Sequence, residues 1–387
     1  MTVKRSAVVI LAAVVLAVAV WALSAMRQPI VSAKPASAQG NTRTLTDAAG
    51  RTVALPEQIE RVICSGAGAL RLMSYLGAQD RVVAVDSIEK RDSPTDCRPY
   101  ALANPEFQSL PLFGEFRGMD SPELIVGLDP QPQVMFKTHV SLGQNPERVK
   151  AQTGVPVVVL EYGNLTDRRD DLNQALRLMG EALGLSARAE EVIAYFNSLI
   201  EDLNARTAGI PEGERPACYV GGVSMRGSLG FSSTEPRYAP FAFTNARNVA
   251  AGMATSEGGT SHAVVAKEQL VAWDPEVVFL DLATARLGSS ASGLVELRED
   301  RAFRNLSAVR EGRVFGVIPH NAYTENFDSV FANAYFVGKT LYPGRFRDVD
   351  PAAKADEIYT FLLGEPLFAE VRQRLGGLAF QPLLTEE

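Results

Sequence analysis

The sequence predicts an α/β protein of two α/β lobes with mostly parallel sheets, joined by one long rigid helix. Three observations carry this expectation. A short phrase occurs twice, strands alternate with helices in both halves, and a long helical pattern lies between them. The phrase is Pro-Glu-Leu-Ile-Val-Gly-Leu-Asp-Pro at 122–130 and Lys-Glu-Gln-Leu-Val-Ala-Trp-Asp-Pro at 267–275. In each copy a glutamate (Glu123, Glu268) opens an apolar turn of helix. An Asp-Pro pair is then expected to stop it, because proline disfavours α geometry in the residue before it. A short apolar run follows, which reads as a buried strand. Two copies this far apart do not make a solenoid; they fit two similar halves.

The chain starts like an exported protein. Lys4 and Arg5 precede an almost wholly apolar run to Met26, and Ala36-Ser37-Ala38 fits a small-residue cleavage site. Residues 1–38 are therefore expected to be a signal peptide, although the run is also long enough to remain as a membrane anchor. No cysteine lies near the start, which favours a soluble or tethered protein of a Gram-negative periplasm over a lipoprotein. The remaining part, about 350 residues, is enough for two lobes. The whole chain carries 38 basic and 45 acidic residues, a net charge of −7. The first 38 positions hold basic residues but no acidic one, so the exported part is more acidic still. That argues against nucleic acid as a partner. Cys64, Cys97 and Cys218 form no metal-binding spacing; a Cys64–Cys97 bridge and buried thiols are both compatible with them.

The elements follow in order. Residues 39–56 read as an extended lead-in. A strand at 61–64, a tight turn at 65–68, a helix at 69–76 ended by Gly77 and a strand at 82–85 come next. Residues 87–120 are polar and proline-rich and read as loop. The first repeated unit, with its strand at 134–136, leads to a helix near 146–152 and a strand at 155–160. Asp167 is a plausible N-cap for an amphipathic helix ended at Gly184. Ser186 opens a second helix of about 20 residues, roughly 30 Å long, placed as a strut between the halves. The second half has a strand at 217–220, a loop-rich stretch at 223–262 and the second unit with its strand at 277–281. A helix near 302–310, a strand at 313–318 and helices from 326, 351 and 365 complete it. The organisation is thus a first lobe at 39–166, linking helices at 167–210, a second lobe at 211–325 and closing helices at 326–387.

In this order the motifs resemble the periplasmic substrate-binding proteins of iron-chelate, haem and cobalamin ABC importers. The resemblance rests on Asp47-Ala48-Ala49-Gly50-Arg51-Thr52-Val53, on Arg61-Val62-Ile63, on both glutamate-containing units and on 153–159, Thr-Gly-Val-Pro-Val-Val-Val. The stretch 333–343, Asn-Ala-Tyr-Phe-Val-Gly-Lys-Thr-Leu-Tyr-Pro, resembles the iron-complex subgroup. The resemblance implies a ligand cleft between the lobes. It also implies a metal-chelate ligand of iron-siderophore type, with a corrinoid or haem as alternatives, and a permease dimer of the inner membrane as partner. A surface glutamate on each lobe would meet arginines of that dimer, and those glutamates map onto Glu123 and Glu268. The chain is then expected to be a monomer, not an enzyme, with no cofactor and no resident metal.

In open α/β sheets ligands bind outside the carboxyl ends of the strands. That rule selects Ser65, Gly66, Asp86, His139 and Tyr162 in the first half. In the second half it selects Arg226, Phe231 and Tyr238 in the first loop, and His320, Asn321 and Tyr323 after the last strand. The mixture of glycine, serine, arginine and aromatics at 223–241 suits a partly apolar ligand with charged edges. Bare divalent metal is the further alternative, but only His139, His262 and His320 are available and no His-rich loop occurs. An exported redox enzyme is remote. Gly66-Ala67-Gly68 with Asp86 imitates a dinucleotide fingerprint, yet Arg71 stands where its third glycine belongs. Gly222-Val223-Ser224-Met225-Arg226 lacks the second glycine of a nucleophile elbow.

Overall fold

The computed structural model describes residues 41–91, 93–253, 262–287 and 292–384. The expected signal peptide and part of the 223–262 stretch lie outside the described residues. Among the described residues no helix is long and apolar enough to cross a membrane.

The first lobe is built on a six-stranded sheet in the order β6-β5-β4-β3-β7-β8. Its strands are β3 (Val62–Ser65), β4 (Val82–Asp86), β5 (Leu112–Glu115), β6 (Met119–Asp120), β7 (Val134–Lys137) and β8 (Val157–Val159). All neighbours pair parallel except β6, which runs antiparallel to β5. β3, β7 and β8 are buried along their whole length, as strands covered on both faces must be. The second lobe carries a parallel sheet in the order β11-β9-β13-β14. Here β9 is Ala217–Gly221, β11 Arg247–Asn248, β13 Val277–Asp281 and β14 Val314–Val317. A short antiparallel pair, β10 (Ser233–Thr234) with β12 (Ala263–Val264), lies beside it.

Helix Arg169–Leu183 ends on Gly184 in the left-handed region, and the long helix Ser186–Thr207 follows it. The long helix is not alone between the lobes. Helix Phe327–Leu341 is buried along most of its length. Its Phe327, Val330, Phe331 and Ala334 pack in the first core with Val192, Phe196 and Leu199 of the long helix. Its Ala332, Phe336 and Val337 enter the second core. Two sets of side chains on one helix thus tie both cores together, and the first of the expected closing helices acts as a second strut.

Four expectations need correction. Residues 39–56 form a hairpin, β1 (Thr42–Thr46) with β2 (Thr52–Pro56), whose turn is held by the Asp47 carboxylate accepting from the Ala49 and Arg51 amides. The 87–120 stretch is not all loop: it contains β5, β6 and the helical turns Pro99–Leu102 and Pro105–Gln108. Gly114 permits the tight β5–β6 hairpin, since a Cβ there would lie 2.7 Å from the Met119 carbonyl oxygen. Asp167 caps no helix; Arg168 precedes the first turn without a side-chain cap. In the first repeated unit the helix Pro122–Val126 already ends at Gly127, ahead of Asp129-Pro130. Only in the second unit does the Asp-Pro pair stop the helix, with Asp274 in the left-handed region after Lys267–Trp273.

Candidate functional site

Segments that follow β7 and β8 in the first lobe and β9, β10 and β14 in the second line one cavity of about 130 Å³. The first lobe contributes His139, Glu161, Tyr162 and the 163–168 turn, and the second contributes Glu235, Arg237, His262, His320 and Glu325. All three histidines of the chain therefore line one space, together with the carboxylates Glu161, Asp167, Glu235 and Glu325.

The imidazoles differ in charge. Burial pushes His139 below its ordinary value, against the pull of Glu161, and no partner reaches its Nε2. Burial also lowers His262, whose Nε2 lies 2.8 Å from the Ser233 hydroxyl. Both are neutral at physiological pH. His320 is the opposite case. Burial would lower it, but Nε2 lies 2.9 Å from a Glu235 oxygen and Nδ1 3.4 Å from the buried Asp281 carboxylate. These two carboxylates hold it well above its ordinary value, so it stays an imidazolium.

The cavity wall at 320–326 is a strained loop. Tyr323 and Thr324 both have positive φ, 51° and 67°, which only strong local anchoring sustains. The Asn326 amide supplies it by donating to the His320, Ala322 and Thr324 carbonyls. From the first lobe, the buried Arg71 guanidinium donates to Tyr162 Oη at 2.5 Å and to the Glu325 and Ala322 carbonyls at 2.8 and 3.1 Å. Two further contacts join the lobes. Tyr323 Oη donates to Asp86 Oδ2 at 2.5 Å while accepting from the Arg117 amide, and Arg237 meets Asp167 at 2.9 Å.

Of the residues selected from the sequence, His139, Tyr162, His320 and Asn321 line the cavity. Asp86 and Tyr323 engage each other instead. Ser65 is fully buried, donating to Asp120 at 2.5 Å and accepting from Lys137 Nζ at 2.9 Å. Gly66 backs onto the Thr138 carbonyl. Tyr238 lies behind the wall, its ring 5.4 Å from that of His320. Arg226 is exposed and lies outside the lining. Phe231 is a core residue: it is fully buried, edge-on to Tyr219 and Phe303. Its ring fills the space left by Gly221, where a Cβ would come within 2.5 Å of it. Glu161, Asp167, Glu235, Arg237, His262 and Glu325 were not selected. His262 and Glu235 flank the β10–β12 pair, whose two-residue strands leave no periodic signal. Cys64, Cys97 and Cys218 are buried thiols. Glu123 and Glu268 are exposed, far from any core role, with Ile125 and Leu270 buried beneath their helices.

Burial, opposed by the Tyr323 hydrogen bond, raises the Asp86 carboxyl from 3.8 to about 7. The folded state thus holds this proton more tightly than the unfolded chain. Its contribution to stability is full below about pH 4 and is lost as pH rises through about 7. Relative to Asp86→Asn, the wild type is therefore expected to lose thermal stability between these limits. Melting curves of the two proteins that stay parallel across the window contradict this assignment.

A family model described as periplasmic binding protein matches residues 62–319. The molybdate-binding protein MolA of Haemophilus influenzae is 23% identical over 340 residues, which is 82% of this chain and 90% of that protein. Its molybdate-bound structure superposes with a TM-score of 0.63 at 19% identity, covering 84% of this chain and 98% of that one. A periplasmic solute binding protein from Veillonella parvula gives 0.66 at 17% identity, covering 89% and 100%. CeuE of Helicobacter pylori with Ni(II) bound gives 0.55 at 15%, covering 86% and 99%. At these identities the structures share the fold with this chain.

Proposed function

The chain belongs to the periplasmic binding protein family, and we propose that it captures a small metal chelate and delivers it to an ABC importer of the inner membrane. One observation carries the choice of cargo: two neutral imidazoles, His139 and His262, enter a single small cavity from opposite lobes. Neutral imidazole is the ligating form and suits nickel, iron and similar ions. Among the described residues no three ligating side chains are grouped to hold an ion unaided. The remaining donors then come with the cargo, as part of its chelator. About 130 Å³ holds a metal ion and a few donor groups. A haem or corrin ring needs a pocket several times larger, in the usual range of roughly 300–1,000 Å³. An iron-siderophore-type cargo fits by its compact, metal-bearing end. Delivery rests on Glu123 and Glu268, one exposed on each lobe, as the groups that meet permease arginines. The steps are capture, modest closure about the helical struts, and docking, with no covalent chemistry.

A tetrahedral oxyanion is the second reading, favoured by the similarity to a molybdate-binding protein. Charge opposes it. The lining carries Glu161, Asp167 and Glu235, with Glu325 raised by burial to about 7, against Arg168, Arg237 and the His320 imidazolium. Arg168 is already shared by Glu161 and Asp171, and Arg237 by Asp167, so little positive charge remains for an anion.

Fluorescence titration with Ni(II)–histidine, ferric citrate, haemin, cobalamin and molybdate separates these readings. We expect saturable binding of at least one small chelate at micromolar or tighter affinity. His139→Ala combined with His262→Ala should weaken it at least ~100-fold. Binding of molybdate alone, unaffected by the double variant, overturns the chelate reading.

A further inference from the structure

We infer that each lobe surrounds its exposed glutamate with a matching pair of apolar side chains, and that these twin patches together form the surface that docks on the two-fold permease. This deepens the proposed delivery step and rests on it. Among the described residues the exposed large apolar side chains are Met119, Leu124, Val126, Leu142, Val264 and Val271. Singly, exposed apolar residues are ordinary. Their register is not. Met119 and Val264 each stand four positions ahead of the glutamate of their unit, and Val126 and Val271 each stand three positions after it. They are 49%, 66%, 51% and 41% exposed.

The local structure repeats as well. Met119 lies in β6 and Val264 in β12, each a two-residue strand paired antiparallel with its neighbour. Each strand leads into the short helix that carries the glutamate. In both helices the residue before the valine, Ile125 or Leu270, is fully buried. That anchor turns the glutamate and the valine three positions on toward solvent, along one side of the helix. The result is an apolar–acid–apolar patch, made once by each lobe.

The duplication points to the occupant. Two equivalent patches on one chain match a partner that offers the same surface twice, as a two-fold dimer does. A central acid asks for a basic group opposite. An exposed ion pair alone contributes little, whereas apolar neighbours that exclude water strengthen such a pair and anchor the contact. A second copy of this chain fits poorly, because it would set acid against acid.

The test places a photoreactive phenylalanine analogue at position 126, 271 or, as a control, 142 of the full chain in its own host. We expect positions 126 and 271 to cross-link to the same importer permease subunit, and position 142 not to. Cross-linking to a second copy of this chain, or to no permease from either position, overturns the inference. With that permease reconstituted alongside its ATPase, Val126→Ser combined with Val271→Ser should raise the half-maximal concentration for stimulation at least ~10-fold. Chelate affinity and melting temperature should be unchanged. Normal stimulation by this variant, with the permease captured, defeats the apolar patches but leaves the delivery role intact. Capture of a protein that is not an importer permease defeats both.

Discussion

Arg71→Met is expected to lower stability by about 3–5 kcal/mol, measured by urea denaturation. The side chain is fully buried in the first lobe, yet most of its acceptors belong to the loop after β14. Burial disfavours the charge, but the surrounding phenols of Tyr162, Tyr100 and Tyr75, with Asp328, keep the guanidinium ionised. Its plane also lies 4.9 Å from the centre of the Tyr100 ring. Methionine would fill much of the volume but take the guanidinium away from the Tyr162 phenol oxygen and from the Glu325 and Ala322 carbonyls, which would keep only Tyr162 Oη and the Asn326 amide as donors. Each hydrogen bond to the charged guanidinium so lost costs about 1.5–3 kcal/mol. The positive-φ turn at Tyr323 and Thr324 would lose one of its anchors at the same time. Lysine should recover only part of the loss, since one ammonium cannot span acceptors that the forked guanidinium reaches together. A loss below about 1 kcal/mol would mean that the remaining contacts, from the Asn326 amide, Tyr162 Oη and the Tyr323–Asp86 pair, hold the loop without the guanidinium.

Arg71 also shows how far the sequence could be read. There it was simply the residue that spoils a dinucleotide fingerprint, because a helix side chain that crosses to another lobe has no local signature. Elements with uniform chemistry were legible. The strand Val277–Asp281 and the helix Pro351–Leu363 fall where apolar runs and proline punctuation place them. β5 and β6 were not legible, because a hairpin made possible by Gly114 looks like loop in a polar, proline-rich stretch. In the site, the rule of strand carboxyl ends found His139, Tyr162, His320 and Asn321. It failed for Phe231, whose aromatic ring serves the core, and for Glu235 and His262, which long-range pairing of two-residue strands brings to the cavity.

The second large effect is expected from charge reversal of the paired glutamates. Glu123→Arg with Glu268→Arg should bind chelate with wild-type affinity and yet fail to stimulate ATP hydrolysis by the reconstituted importer. Both side chains are exposed and neither lines the cavity, so neither is placed to contact a cargo held there. Under the proposed docking, reversal replaces attraction by repulsion on both halves of a two-fold partner, which is a larger change than neutralisation. At an interface that excludes water, such juxtapositions cost several kcal/mol. Stimulation at the wild-type level would leave these glutamates as first-turn residues favoured only by the helix dipole.

We propose that the metal arrives with its own chelator and is held by His139 and His262. Native mass spectrometry of the protein purified from its host, with elemental analysis of the same sample, tests it most directly. We expect an added mass equal to one metal ion plus a small organic ligand, present in the wild type and absent from the His139→Ala, His262→Ala double variant. An added mass of a lone tetrahedral oxyanion, or of a bare ion retained by the double variant, would contradict it.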